Sequence, residues 1–175
     1  WAAGDIQARG FLLGATAGRT TLAGEGLQHQ DGHSHVLALA NPSVMVYDPA
    51  FAYELAVIVR DGLRRMLENG ENIVYYLTIM NEFYPMPPMP KGVEEGILKG
   101  LYRFSGPLQG GSAVVHLLGS GAILNESIKA QALLADRFGI ASDVWSVTSY
   151  KNLYWDAIET ERQNRFTPRK APMNN

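Results

Sequence analysis

Residues 84–90, YPMPPMP, hold four of the chain's nine prolines. Proline lacks an amide donor and fixes φ, so this run is excluded from a helix interior and from a central strand. It reads as an extended connector, with a second unit beginning near Lys91. Each side of it must therefore build its own regular structure.

Upstream, residues 43–47 form a short apolar run with two valines, preceded by Asn41-Pro42 and stopped by Asp48-Pro49, which predicts a buried strand. Asp48 is placed to cap the following helix, with Pro49 at its first position. Leu55, Ile58, Val59, Leu63, Met66 and Leu67 recur at intervals of three and four, predicting a helix over 49–69 that Gly70 terminates. Arg60, Arg64, Arg65 and Glu68 would be its solvent face. Residues 73–80 show little polar alternation, as in a parallel strand covered on both faces. Strand, helix and strand joined by short turns make a βαβ unit. Earlier in the chain, 5–15 reads as a helix capped by Asp5, and 36–40 as one or two helical turns.

Downstream, 93–100 reads as a short helix, 101–104 as an edge strand and 107–112 as a turn. Residues 113–118, 123–138 and 140–147 make a second strand–helix–strand unit, and 150–166 begins as helix. Gly119-Ser120-Gly121 lacks the third glycine of a dinucleotide fingerprint, so it is read as a tight strand-to-helix turn. His116, among apolar neighbours, is expected to be structural. The fold class expected is α/β: two units, each a mostly parallel sheet covered by helices.

Composition removes several function classes. A net charge of −2 over 175 residues gives no electrostatic basis for binding nucleic acid or an anionic membrane. No apolar run approaches the roughly 20 residues that span a bilayer. With no cysteine there is no disulfide, thiolate metal site or thiol nucleophile, which accords with a cytoplasmic setting. The first residues carry no charged leader before an apolar stretch, so no secretory signal is expected. Because the chain opens at Trp1 in mid-pattern, a piece of a longer protein is expected.

Chemistry concentrates in residues 24–35, GEGLQHQDGHSH, where His29, His33 and His35 are three of the chain's four histidines. Glycines and polar residues without apolar spacing make this a loop. Histidine exchanges protons near neutral pH, and the neighbouring Glu25 and Asp31 are able to tune or orient the rings. Three imidazoles also make a conceivable zinc set. That reading is disfavoured because the spacing needs a helical turn through Gly32, so no metal ligand is assigned. Arg19 lies just upstream, but its setting lacks the Lys-Ser/Thr end of a phosphate loop, and a loop-fixing ion pair is expected.

The run GRTTLAGEGLQHQDGHSH, through Tyr47-Asp48-Pro49-Ala50, resembles the family of homodimeric bacterial pyruvate dehydrogenase components. The opening WAAGDIQARGFLLGATAGRTT, the later MNEFYPMPPMPKGVEEGILKG, and LLGSGAIL followed by SDVWSVTS resemble the same family in the same order. The resemblance implies a thiamine-diphosphate- and magnesium-dependent enzyme that decarboxylates pyruvate and passes the acetyl group to a lipoyl-bearing acetyltransferase. It implies residues 1–90 as the C-terminal part of the pyrimidine-binding middle domain, and 91–175 as the N-terminal part of the transketolase-like C-terminal domain. His29 corresponds to the active-site histidine, and His35 to the histidine closing the same loop. Glu25, Gln28 and Asp31 are the supporting residues.

The family's cofactor-activating glutamate and its metal–diphosphate motif lie outside this chain; Gly4-Asp5-Ile6 does not match that motif. The cofactors would thus be held mainly by absent segments, the chain alone would be inactive, and a second subunit would complete the site. Another thiamine-dependent enzyme of the transketolase-like group, or an interaction module derived from one, are the alternatives.

Overall fold

A computed structural model describes residues 1–15, 34–80, 83–109 and 114–166. Two three-stranded sheets form, one on each side of residues 83–90, which contain neither helix nor strand. In the first half a single turn, α1 (Ala2–Asp5), precedes β1 (Gly10–Gly14), α2 (Ser34–Leu39), β2 (Val44–Tyr47), α3 (Ala52–Leu63) and β3 (Val74–Thr78). The sheet order is β1-β3-β2 and all pairs are parallel. The second half runs α4 (Glu94–Lys99), β4 (Leu101–Ser105), β5 (Val115–Gly119), α5 (Leu124–Phe138), β6 (Ser142–Val147) and α6 (Tyr150–Phe166). Its order is β4-β6-β5, with β4 antiparallel and β5 parallel to β6.

The helix expected over 5–15 is not formed. The chain leaves α1 through Gln7, whose φ of 56° breaks the helical path, and then runs as β1 beside β3. The Phe11-Leu12-Leu13 run is short and bounded by glycines, and pairing with residues about sixty positions away overrides its local preference. Asp5 is the last residue of α1 and caps nothing downstream.

The long helix begins one turn later than the Asp48-Pro49 pair predicts. Phe51 is its N-cap in extended conformation, and Glu54 at the third position accepts the amides of Ala50 and Phe51. Those two donors would otherwise be orphaned at the helix start. Beyond Leu63 the helix continues as a π-helical segment, Arg64–Glu68, and Gly70 at φ 74° ends it. Arg60, Arg64 and Glu68 are exposed, as the solvent-face reading has it, but Arg65 is not part of that face. It is half-buried, holds Glu71 with two nitrogens (2.6 and 2.9 Å) and reaches the Tyr75 hydroxyl at 3.3 Å.

The main core lies where α3 covers the first sheet. Tyr75 and Leu77 of β3 are fully buried, with Tyr47, Ile58 and Met66 around them. Tyr47 and Tyr75 stack with ring centres 5.9 Å apart. Gly62 is needed on α3 because a Cβ there would lie 2.7 Å from the Phe11 ring. The same cluster includes Ile97 and Tyr102 from the second half, and a second cluster joins Ala50 and Phe51 to Leu124 and Val144. The two halves thus share apolar cores while keeping separate sheets.

Candidate active site at the seam between the two sheets

Strands β1, β2 and β3 all end on one edge of the first sheet, and ligands of open α/β sheets bind beyond the carboxyl ends of their strands. Gly14-Ala15 lies at that edge, and the next described residues are those of α2. Glu25, Gln28, His29, Asp31 and His33 lie outside the described residues, as does Arg19. His35 lies inside them, on α2, half-buried, with its ring meeting the edge of Tyr76 at 5.6 Å. Tyr76 stands at the centre of the sheet, and its hydroxyl lies so close to Gly14 that a Cβ there would approach it to 2.4 Å. The end of β1 and His35 of α2 therefore rest on one tyrosine.

Asp48, expected as a helix cap, instead closes the seam. Its carboxylate accepts the hydroxyls of Thr78 (2.5 Å), at the end of β3, and of Ser120 (2.7 Å), in the turn after β5. Its own amide donates to the Thr148 carbonyl at 2.8 Å, and its carbonyl accepts the Gly121 amide at 3.1 Å. One residue thus ties the carboxyl ends of β2 and β3 to those of β5 and β6. Gly119-Ser120-Gly121 is the tight strand-to-helix turn that the missing third glycine indicates. Gly121 takes φ 53°, and a Cβ there would sit 2.7 Å from the Asp48 carboxylate.

Further polar contacts line the same seam. Ser149 donates to the Val46 carbonyl at 2.6 Å, and Thr148 to that of Ile97 at 2.6 Å. Tyr47 donates to the Leu98 carbonyl and accepts Asn152, both at 3.0 Å; burial pushes its hydroxyl up to about 12. Deepest is Glu54, fully buried, which accepts Tyr102 (2.6 Å) and Ser146 (2.7 Å) in addition to its two amides. Burial moves its carboxyl above the ordinary range, while the four donors pull the other way. The Tyr102 hydroxyl moves up as well, from burial first and then from the adjacent Glu54 charge.

Glu54 and Asp48 were legible only in part. Glu54 falls on the same helical stripe as Ile58 and Asp61, and a carboxylate on an apolar stripe signals a buried polar network. Nothing local marks Asp48 as a seam residue, because its partners stand 30 and 72 positions away. His116, away from the seam, is held as a structural histidine should be. Its Nδ1 meets Asp143 at 2.7 Å, although 63% of its side chain is exposed.

Among the described residues no group of three His, Asp or Glu is arranged to hold a metal ion. Nor is any described helix long and apolar enough to cross a membrane.

The mainly parallel sheets, their flanking helices and the seam at the strand ends define a class: transketolase-like α/β proteins. A transketolase from Leishmania mexicana superposes with a TM-score of 0.56 at 18% identity, over 79% of this chain and 19% of that one. A transketolase from Pichia stipitis gives 0.56 and 18% over 74% of this chain and 18% of that one. Within the class, residues 1–87 match the family described as pyruvate dehydrogenase E1 component middle domain, and 100–171 the transketolase-like TK C-terminal domain. The pyruvate dehydrogenase E1 component of Pseudomonas aeruginosa is 55% identical over 172 residues, 98% of this chain and 20% of that one. That of Escherichia coli K12 is 54% identical over 173 residues, again 98% of this chain, and 19% of that one. The chain belongs to the pyruvate dehydrogenase E1 component family and spans about a fifth of the length of these relatives.

Proposed function

We propose that this chain is a segment of a thiamine-diphosphate- and magnesium-dependent pyruvate dehydrogenase that releases carbon dioxide from pyruvate and passes the acetyl group to a lipoyl-bearing acetyltransferase. The observation that carries the reading is identity above one half to proteins named as this component, along nearly the whole chain. In this reading residues 1–90 end the pyrimidine-binding middle domain and 91–175 begin the C-terminal domain. The connector at 84–90, free of helix and strand, supports that division. A second identical subunit completes the site, and the whole protein works in the cytoplasm within a multienzyme complex.

Bound thiamine diphosphate supplies the nucleophilic carbon and the electron sink for decarboxylation; it and its magnesium are held mainly by chain outside this segment. What this segment supplies is proton chemistry. Negative charge develops on the pyruvate 2-oxygen as the substrate is attacked, and a histidine donor placed there stabilises it. His29 takes that role, at the oxyanion or the substrate carboxylate, and moves a proton when the acetyl group leaves. Glu25 and Asp31 orient the imidazoles, and Gln28 and His35 support the loop. The anchor of His35 against Tyr76, at the carboxyl edge of the sheet, is consistent with that placement.

The test is substrate choice by the full-length protein. With thiamine diphosphate and magnesium it should decarboxylate pyruvate and acetylate a lipoyl domain. Turnover of ketose phosphates in place of pyruvate would point to the transketolase alternative, and inertness toward both to an interaction module.

A further inference from the structure

Lys151 is 3% exposed, in the first turn of α6. That is an unfavourable place for an ammonium group. Burial strips its water, and the amino end of a helix repels positive charge. Burial also moves its pKa down. The compensation is geometric. Nζ donates to the carbonyls of Ala38 (3.1 Å), Asn41 and Val44 (2.6 Å), matching its three protons with three acceptors. Ala38 lies in the last turn of α2, so the cation sits at the carboxyl end of that helix, where unpaired carbonyls and the dipole favour it. Asn41 organises the acceptors by accepting the Ser43 amide on its side chain at 3.0 Å.

We propose that Lys151 is a positioning residue: from the second half of the chain its ammonium pins the carboxyl end of α2, and so sets where the histidine loop is anchored. The helix it holds carries His35 and follows directly on the loop that bears His29. Its effect on turnover rests on the function proposed above; the pin itself rests only on the carbonyl cage. A cleft of about 1040 Å3 borders Lys151, with Pro42, Met45, Asn152, Asp156 and Glu159 also on its walls. Acidic and basic side chains both line it, so it offers a polar path to the carbonyl cage.

The experiment uses the full-length protein with Lys151→Met, which keeps an unbranched apolar stem, and Lys151→Ala, which empties the cage. Amide hydrogen exchange over residues 36–45 should accelerate in both. Because displacement of a reacting group by about 1 Å can cost on the order of a hundredfold, kcat for pyruvate should fall by about ten- to a hundredfold, with KM moving less. Ethylammonium should restore slow exchange and turnover to Lys151→Ala, and tetramethylammonium at equal ionic strength should not, since it donates no hydrogen bond. If Lys151→Met fails to fold, the ethylammonium dependence of the Lys151→Ala melting temperature carries the same test, and its absence overturns the proposal. Unchanged exchange in 36–45, or faster exchange with full turnover, overturns it too. A wild-type protein inert toward pyruvate, in which the exchange difference persists, sinks the functional reading and upholds the pin. Pyruvate turnover with no exchange difference does the reverse.

Discussion

Two backbone amides and two hydroxyls converge on the carboxylate of Glu54, and the variants available there separate charge from hydrogen bonding. Glutamine can keep its oxygen on the amides of Ala50 and Phe51 and turn its NH2 toward Tyr102 and Ser146, whose hydroxyls are able to accept. Alanine leaves all four groups without that partner. A buried unsatisfied donor costs about 1–3 kcal/mol, so Glu54→Ala should lose roughly 3–5 kcal/mol while Glu54→Gln loses much less. Denaturant unfolding of the full-length protein checks this, and equal losses would contradict the network. The pH dependence has a definite sign. Burial raises the folded pKa, so the folded state holds the proton more tightly than the unfolded chain. The stability this confers is present below the unfolded value of about 4.3 and is lost as pH rises through the folded value. Glu54→Gln should flatten that decline.

At the scale of elements, the turn from β5 into α5 depends on glycine for close approach. A Cβ on Gly119 would lie 2.6 Å from the Cα of Leu124, which is backbone and has no rotamer to yield. Gly119→Ala should therefore push α5 off the strand and cost about 1–3 kcal/mol, as overpacking does; a melting temperature equal to the parent's would contradict the packing. This turn was readable from Gly119-Ser120-Gly121, as were α3 with its π-helical continuation from their six apolar repeats, β2, β3, α5 and the proline connector. Each carries its signal in a local period or a local breaker. What escaped reading depended on distant partners. Phe11 to Leu13 became a strand because β3 lay open beside it, and Asp48 abandoned the cap role because Thr78 and Ser120 offered hydroxyls from other elements. No local pattern marks Lys151, and only the three carbonyls of Ala38, Asn41 and Val44 reveal its role. Of the candidate site, the sequence pointed to the histidine-rich segment and its likeness to a family, but not to the Asp48 seam at the strand ends.

For the whole molecule, both sheets leave apolar side chains in solvent: Leu12 and Leu13 on the edge strand β1, Leu118 on the edge strand β5, and Leu37 on α2. Exposed apolar edges promote association. The 175-residue chain expressed alone should therefore self-associate, and sedimentation showing a monomer with a cooperative melt would contradict that expectation. In the full-length protein, the account turns on His29 as a donor to charge that develops on pyruvate. Removing one such preorganised donor costs about a hundred- to a thousandfold in turnover, or roughly 3–4 kcal/mol. The decisive measurement is the rate of pyruvate decarboxylation by His29→Ala, with thiamine diphosphate affinity measured on the same preparation. The account predicts a fall of that size with cofactor affinity little changed. A His29→Ala enzyme that binds the cofactor and decarboxylates pyruvate at the parent rate would contradict it.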